Sequence, residues 1–182
     1  MVKSLNQRSG WPVAGVCLLL LLGCEPFRDS GSAPGGWKVY FSPQGGCTEA
    51  VVDALTHATN TVLVQAYSFT SAAIAKAVVE AQRRRVQVAV ILDKSQRTEK
   101  YSSADFLNNA GVPTFIDAKH AIAHNKIMII DRHIVLTGSF NFTNAAEEHN
   151  AENLLVIDDA ALAAQYITNW NGHLTHSDRY SR

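Results

Sequence analysis

The chain has 182 residues, enough for one domain with a substantial core and too few for two ordinary ones. Hydrophobic residues make up 47% and charged residues 18%, which excludes a disordered chain and a multi-span membrane protein. Sixteen basic residues balance sixteen acidic ones, so bulk charge does not select a polyanion partner, and three cysteines exclude a disulfide scaffold.

Residues 1–24 read as a targeting segment. Lys3 and Arg8 form a positive start, and Trp11 to Leu22 is a twelve-residue apolar run. A spanning helix needs roughly 20 apolar residues, so an export signal is expected instead. The signal ends Leu21, Leu22, Gly23, Cys24, which resembles a bacterial lipobox with Cys24 as the lipidated residue. The alternative is an ordinary cleaved signal with a chance cysteine. Either way the protein is expected outside the cytoplasm, as a membrane-anchored lipoprotein or a periplasmic or extracellular protein. With Cys24 lipidated, Cys47 is the one thiol of the mature chain, and it is given no catalytic role. Residues 25–36, rich in Gly, Ser and Pro, read as a flexible tether.

The folded domain is expected over residues 37–175, with 176–182 as a tail. Trp37 to Ser42 reads as a strand, and Cys47 to Ala58 has helical apolar spacing at Val51, Val52, Leu55 and Ala58. Thr61 to Tyr67 is apolar on both faces, as a buried strand is. Ser71 caps a helix to about Arg84, and Val86 to Leu92 is a second buried strand. A short helix from Ser102 or Ser103 closes at Gly111, and Val112 to Ile116 is a strand. Asn125 to Ile130 and Ile134 to Thr137 form a hairpin across Asp131, Arg132 and His133. Asn153 to Ile157 is a further strand, and Asp158 or Asp159 caps a helix through about Trp170. Alternating β and α followed by a hairpin predicts an α/β fold, a mixed central sheet sandwiched by helices.

Charge is unevenly placed. Residues 83–132 hold nine Lys/Arg against five Asp/Glu, and residues 133–182 hold two against six. Arg83, Arg84 and Arg85 read as a solvated helix end. Lys94, Arg97, Lys100 and Lys119 flank strand ends and bear two readings, a solvated loop or a polyanion-binding rim.

The chemistry concentrates in His124 to Asp131 and Gly138 to Asn141. His124 and Lys126, two apart on a strand, share a face, so an imidazole lies beside an ammonium. The cation attracts a phosphate and favours the neutral, nucleophilic histidine. Asp131 falls on the opposite parity and reads as a structural acceptor at the turn. Gly138 permits close backbone approach, and Ser139 and Asn141 offer short donors. Pairing across the hairpin would bring these groups, Lys126 and His124 onto one tetrahedral anion. Glu152 on the next strand could bond the far nitrogen of His124 and fix its tautomer.

His-x-Lys, four residues, Asp, six residues, Gly-Ser-x-Asn resembles the HKD signature of the phospholipase D superfamily. His124, Lys126, Asp131, Gly138, Ser139 and Asn141 match it, as does Glu152 downstream. The similarity extends from about Val39 to Trp170, and looks most like the single-motif bacterial endonuclease (Nuc-type) branch. The resemblance implies a phospholipase D-like fold and attack by His124 on a phosphodiester, giving a phosphohistidine that water resolves. Lys126, Ser139 and Asn141 would stabilise the equatorial oxygens. It implies no metal and no cofactor. With one motif per chain, it implies a homodimer in which a second His124 protonates the leaving oxygen.

Other readings of single residues stand beside this one. His120 and His124 have the spacing of a helical zinc pair, but a Glu after the first histidine is missing and the segment leads into a strand, so no metal site is expected. His120, with Lys119, instead reads as lining a phosphate groove. His57, His133, His149, His173 and His176 read as surface or turn residues. Phe140 and Phe142 are either core or a base-stacking platform, and Tyr67 and Phe69 either core or groove. The expected function is a metal-independent endonuclease, with nucleic acid as substrate. The alternatives are a phospholipase D acting on phospholipid head groups, and a non-catalytic nucleic-acid or membrane-surface binding module.

Overall fold

The computed structural model describes residues 36–181. The expected signal, Cys24 and all but the last residue of the tether lie outside them. The elements are β1 (Trp37–Ser42), α1 (Cys47–His57), β2 (Thr61–Ala66), α2 (Ala72–Arg83), β3 (Gln87–Asp93), a 3-10 turn (Lys94–Arg97), α3 (Ala104–Asn109) and β4 (Thr114–Asp117). They continue with β5 (Lys126–Ile130), β6 (Ile134–Gly138), α4 (Asn144–Glu148), β7 (Glu152–Asp158), α5 (Ala160–Leu174) and β8 (Asp178–Arg179).

The eight strands of the described residues join one sheet in the order β1-β7-β6-β5-β2-β3-β4-β8. β2, β3 and β4 run parallel, and every other pairing is antiparallel. Parallel strands joined by helices are covered on both faces, which is why β2 and β3 carry apolar residues at successive positions. Val62, Val64, Val90, Met128 and Leu136 face one layer with Val51 and Leu55 of α1, Ile74 and Val78 of α2 and Leu107 of α3. Ile91, Ile127, Ile129 and Val135 face the other, against Ala163 and Trp170 of α5. Successive β5 residues thus alternate between two cores. Trp170 is tied down further, its Nε1 donating to the Val64 carbonyl at 3.0 Å. The expected mixed sheet sandwiched by helices is the observed fold.

Local chemistry sets the element ends. The Ser71 hydroxyl accepts from Ile74 N at 3.5 Å, and the Asp159 carboxylate from Ala161 N and Leu162 N at 2.8 and 3.0 Å. The start of α1 borrows its cap: Glu147 of α4 accepts from Gly46 N and Thr48 N at 3.2 and 2.6 Å. The β5–β6 hairpin turns through Asp131 and Arg132, both left-handed with φ of 50° and 64°. The Asp131 carboxylate accepts from the Thr59, Asn60 and Thr61 amides at 2.7–2.9 Å and from the Thr59 hydroxyl, fastening the turn to the start of β2.

Three features differ from expectation. α5 continues to Leu174. α4 fills the stretch after the Gly-Ser-x-Asn run. The stretch expected as a tail contributes β8, which pairs with β4 through Phe115 and Ile116. α4 has five residues and β8 two, too short to show a period. Among the described residues no helix is long and apolar enough to cross a membrane.

Candidate active site

Strand register assembles the site. Lys126 pairs with Ala66 of β2, and Ile127 with Thr137, which brings Lys126 level with Gly138. Gly138 pairs with Leu154, and Glu152 with Ser42. The starts of β5 and β7 and the ends of β1, β2 and β6 therefore gather at one end of the sheet. There His124, Lys126, Gly138, Ser139, Asn141 and Glu152 line one open hollow of about 370 Å³.

Lys126 is 7% exposed. Its Nζ donates to the His124 carbonyl at 2.9 Å and lies 5.1 Å from the Tyr67 ring centroid. Burial pushes its ammonium below the ordinary lysine range, while the Glu152 carboxylate pulls it back up. The His124 ring is exposed and lies 4.6 Å from the Tyr67 ring. Bonds on both neighbours fix its place: Ala123 N donates to the buried Asp93 carboxylate at 2.7 Å, and Tyr67 N donates to the Asn125 carbonyl at 2.8 Å.

The facing wall offers donors. Gly138 has φ of 152°, and a Cβ there would sit 2.2 Å from the Asn153 carbonyl oxygen, so only glycine fits. The Ser139 hydroxyl accepts from Asn153 N at 3.1 Å and Asn153 Nδ2 at 3.4 Å. Its own proton remains to donate into the hollow. The Asn141 amide oxygen is buried without a partner among the described residues, and a half-turn of the amide puts a donor there.

Glu152 accepts from Asn150 Nδ2 at 3.1 Å, and the expected bond to His124 is not made. β7 lies two strands from β5, about 10 Å at 4.8 Å per strand, so Glu152 acts on Lys126 through its field rather than by contact with His124. Asp131 sits at the opposite end of the hairpin, in the turn described above. The hydrogen bonds it accepts hold its carboxyl below the usual range against the opposing effect of burial.

The expected polyanion-binding rim is not in the hollow. Lys94, Lys119 and His120 are absent from its lining. Lys94 Nζ donates to the His120 carbonyl at 3.0 Å, and the His120 ring packs 5.0 and 5.3 Å from the rings of His173 and His176. His173 and His176, expected at the surface, instead converge on the buried Asp117, because α5 ends beside β4. Phe140, Phe142 and Phe69 are buried core, which removes the base-stacking platform, whereas Tyr67 borders the site. Asp93 lies in the segment Ile91, Leu92, Asp93, Lys94, through which the family similarity runs, but its role as anchor of the loop before His124 is not legible there. The one local signal is its place at the end of a buried strand.

The family described as "Cardiolipin synthase, PLD-like domain" matches residues 51–174. The chain belongs to this phospholipase D-like family. Phospholipase D of Rickettsia bellii is 44% identical over 130 residues, covering 71% of this chain and 65% of that protein, so the chain spans just under two thirds of this relative. The crystal structure of Nuc from Salmonella typhimurium, a phospholipase D family member, superposes with a TM-score of 0.77 at 35% identity, over 81% of this chain and 99% of that one. NucT from Helicobacter pylori gives 0.72 at 25% identity, over 79% and 99%.

Proposed function

We propose that the protein is an exported phosphodiester hydrolase, a non-specific endonuclease that cleaves nucleic acid without a metal. The observation that carries this reading is the convergence of six HKD-motif residues on one open hollow. His124 attacks phosphorus, a P–N bond forms, and the leaving oxygen takes a proton from a second imidazole. Water then breaks the P–N bond and returns a proton to that imidazole. Lys126, Ser139 and Asn141 hold the equatorial oxygens, and Glu152 supports the charge on Lys126. One chain supplies one such histidine, so the second comes from a second copy across a two-fold axis. An open phosphate site accepts a backbone without reading bases. The match to Nuc and NucT over nearly their whole length supports this substrate class.

A phospholipase D reading has its own support, the 44% identity to the Rickettsia protein of that name and the expected lipid anchor at Cys24. Plasmid cleavage and head-group release from phosphatidylcholine vesicles, each in excess EDTA, separate the two. Plasmid cleavage is expected to survive EDTA and to fall at least about 10³-fold in His124→Ala, roughly 4 kcal/mol of transition-state stabilisation. Release from vesicles with no plasmid cleavage would make phospholipid the substrate. Plasmid binding without cleavage, unchanged in His124→Ala, would make the protein a binding module.

A further inference from the structure

Outside the hollow, four ligand-bearing side chains meet at the end of β4. Asp117 is wholly buried, and its Oδ2 lies 2.7 Å from His173 Nδ1, 3.3 Å from His176 Nε2 and 3.7 Å from His120 Nε2. One ligand atom from each residue lies within 4.8 Å of all the others. A tetrahedral zinc site with 2.0–2.1 Å bonds spaces its ligands about 3.3 Å apart, within the range of these separations. The His120 Nε2 is shielded from solvent and has no hydrogen-bond partner among the described residues, yet it points at this carboxylate. A ring nitrogen shielded from solvent and left unpartnered is costly unless a hydrogen bond or an ion satisfies it. The other carboxylate oxygen of Asp117 is already engaged, accepting from Lys119 N at 3.1 Å, which orients Oδ2 toward the histidines.

We propose that Asp117, His120, His173 and His176 bind one zinc ion in a structural role. Three imidazoles and one carboxylate complete a tetrahedron, and a closed set of four protein ligands leaves no position for substrate. The ligands come as two pairs, Asp117 with His120 and His173 with His176, each three residues apart. The first pair opens the loop that runs into His124, and the second closes α5. The ion therefore fastens the approach to His124 onto the C-terminal end of α5. None of the four residues lines the hollow, so the metal is distinct from the proposed chemistry.

The test uses untagged protein grown with zinc. Elemental analysis is expected to find about one zinc per chain in the wild type and in His149→Ala, an exposed histidine elsewhere, and none in His173→Ala or His120→Ala. Metal-free protein is expected to take up Co²⁺ with the intense visible absorption of a tetrahedral centre. Zinc is expected to raise Tm by roughly 5 °C or more over the EDTA-treated protein. Should His173→Ala fail to fold, His176→Gln and the wild-type cobalt spectrum decide. Zinc no higher in the wild type than in the variants, or the weak spectrum of octahedral cobalt, would overturn the proposal and leave a carboxylate–imidazole hydrogen-bond network. Plasmid cleavage plays no part in these readouts, so a failed nuclease reading leaves them intact.

Discussion

Lys126 carries its charge where charge is costly, against the Tyr67 ring and with its ammonium on a backbone carbonyl. Its pKa is lowered by burial. In the proposed mechanism the protonated form holds the phosphate oxygens, so activity is expected to fall as pH rises through this depressed value. The alkaline limb of the kcat profile should lie below the ordinary lysine value of about 10.4. Lys126→Met is expected to cost about 10²-fold or more in kcat with little loss of Tm, because the burial penalty goes with the charge. A kcat profile flat to high pH would remove the role of Lys126. Cys47 makes the opposite case. Burial, and then Glu147, Glu49 and Glu152, push its thiol up to about 12. At pH 8 iodoacetamide is expected to leave Cys47 unmodified in the native protein and to alkylate it in denaturant, as read by peptide mass. At this scale the motif residues were legible because their types and gaps are local. Asp93 and the Asp117 cluster were not, since Ala123 meets Asp93 across 30 residues and His173 meets Asp117 across 56.

Among elements, the β5–β6 hairpin matters most, because its two ends do different work. One end presents Lys126 and Gly138, and the other is fastened by Asp131. The folded pKa of Asp131 is depressed, so its contribution is present above the unfolded value of about 3.9 and lost as pH falls through the folded one. Asp131→Asn is expected to lose about 1–2 kcal/mol at pH 7, and the gap to wild type should close as pH drops below about 4. Urea melts at pH 7 and at low pH measure it, and a gap independent of pH would exclude the carboxylate as its source. The hairpin and long elements were legible from period and turn residues. The borrowed cap on α1 was not, because Glu147 reaches Thr48 from 99 residues away.

For the whole molecule, sheet class and helix cover followed from alternating segments, whereas strand order did not. The order joins β1 to β7 and β4 to β8, pairings no local pattern encodes. The proposed two-fold assembly belongs at this scale. Light scattering on the purified protein is expected to give twice the chain mass at micromolar concentration. A monomer that cleaves plasmid at full rate would exclude the shared site.

The same strand order governs when the sheet can close. β1 waits for β7, with Trp37 paired to Ile157, and β4 keeps a bare edge until Asp178 and Arg179 arrive. Such distant pairings favour slow folding, and an uncovered strand edge invites pairing with other chains in the interval. Shortening the protein before residue 178 should therefore do more than trim a surface: it leaves β4 as an adhesive edge, and aggregation during refolding is the outcome to expect.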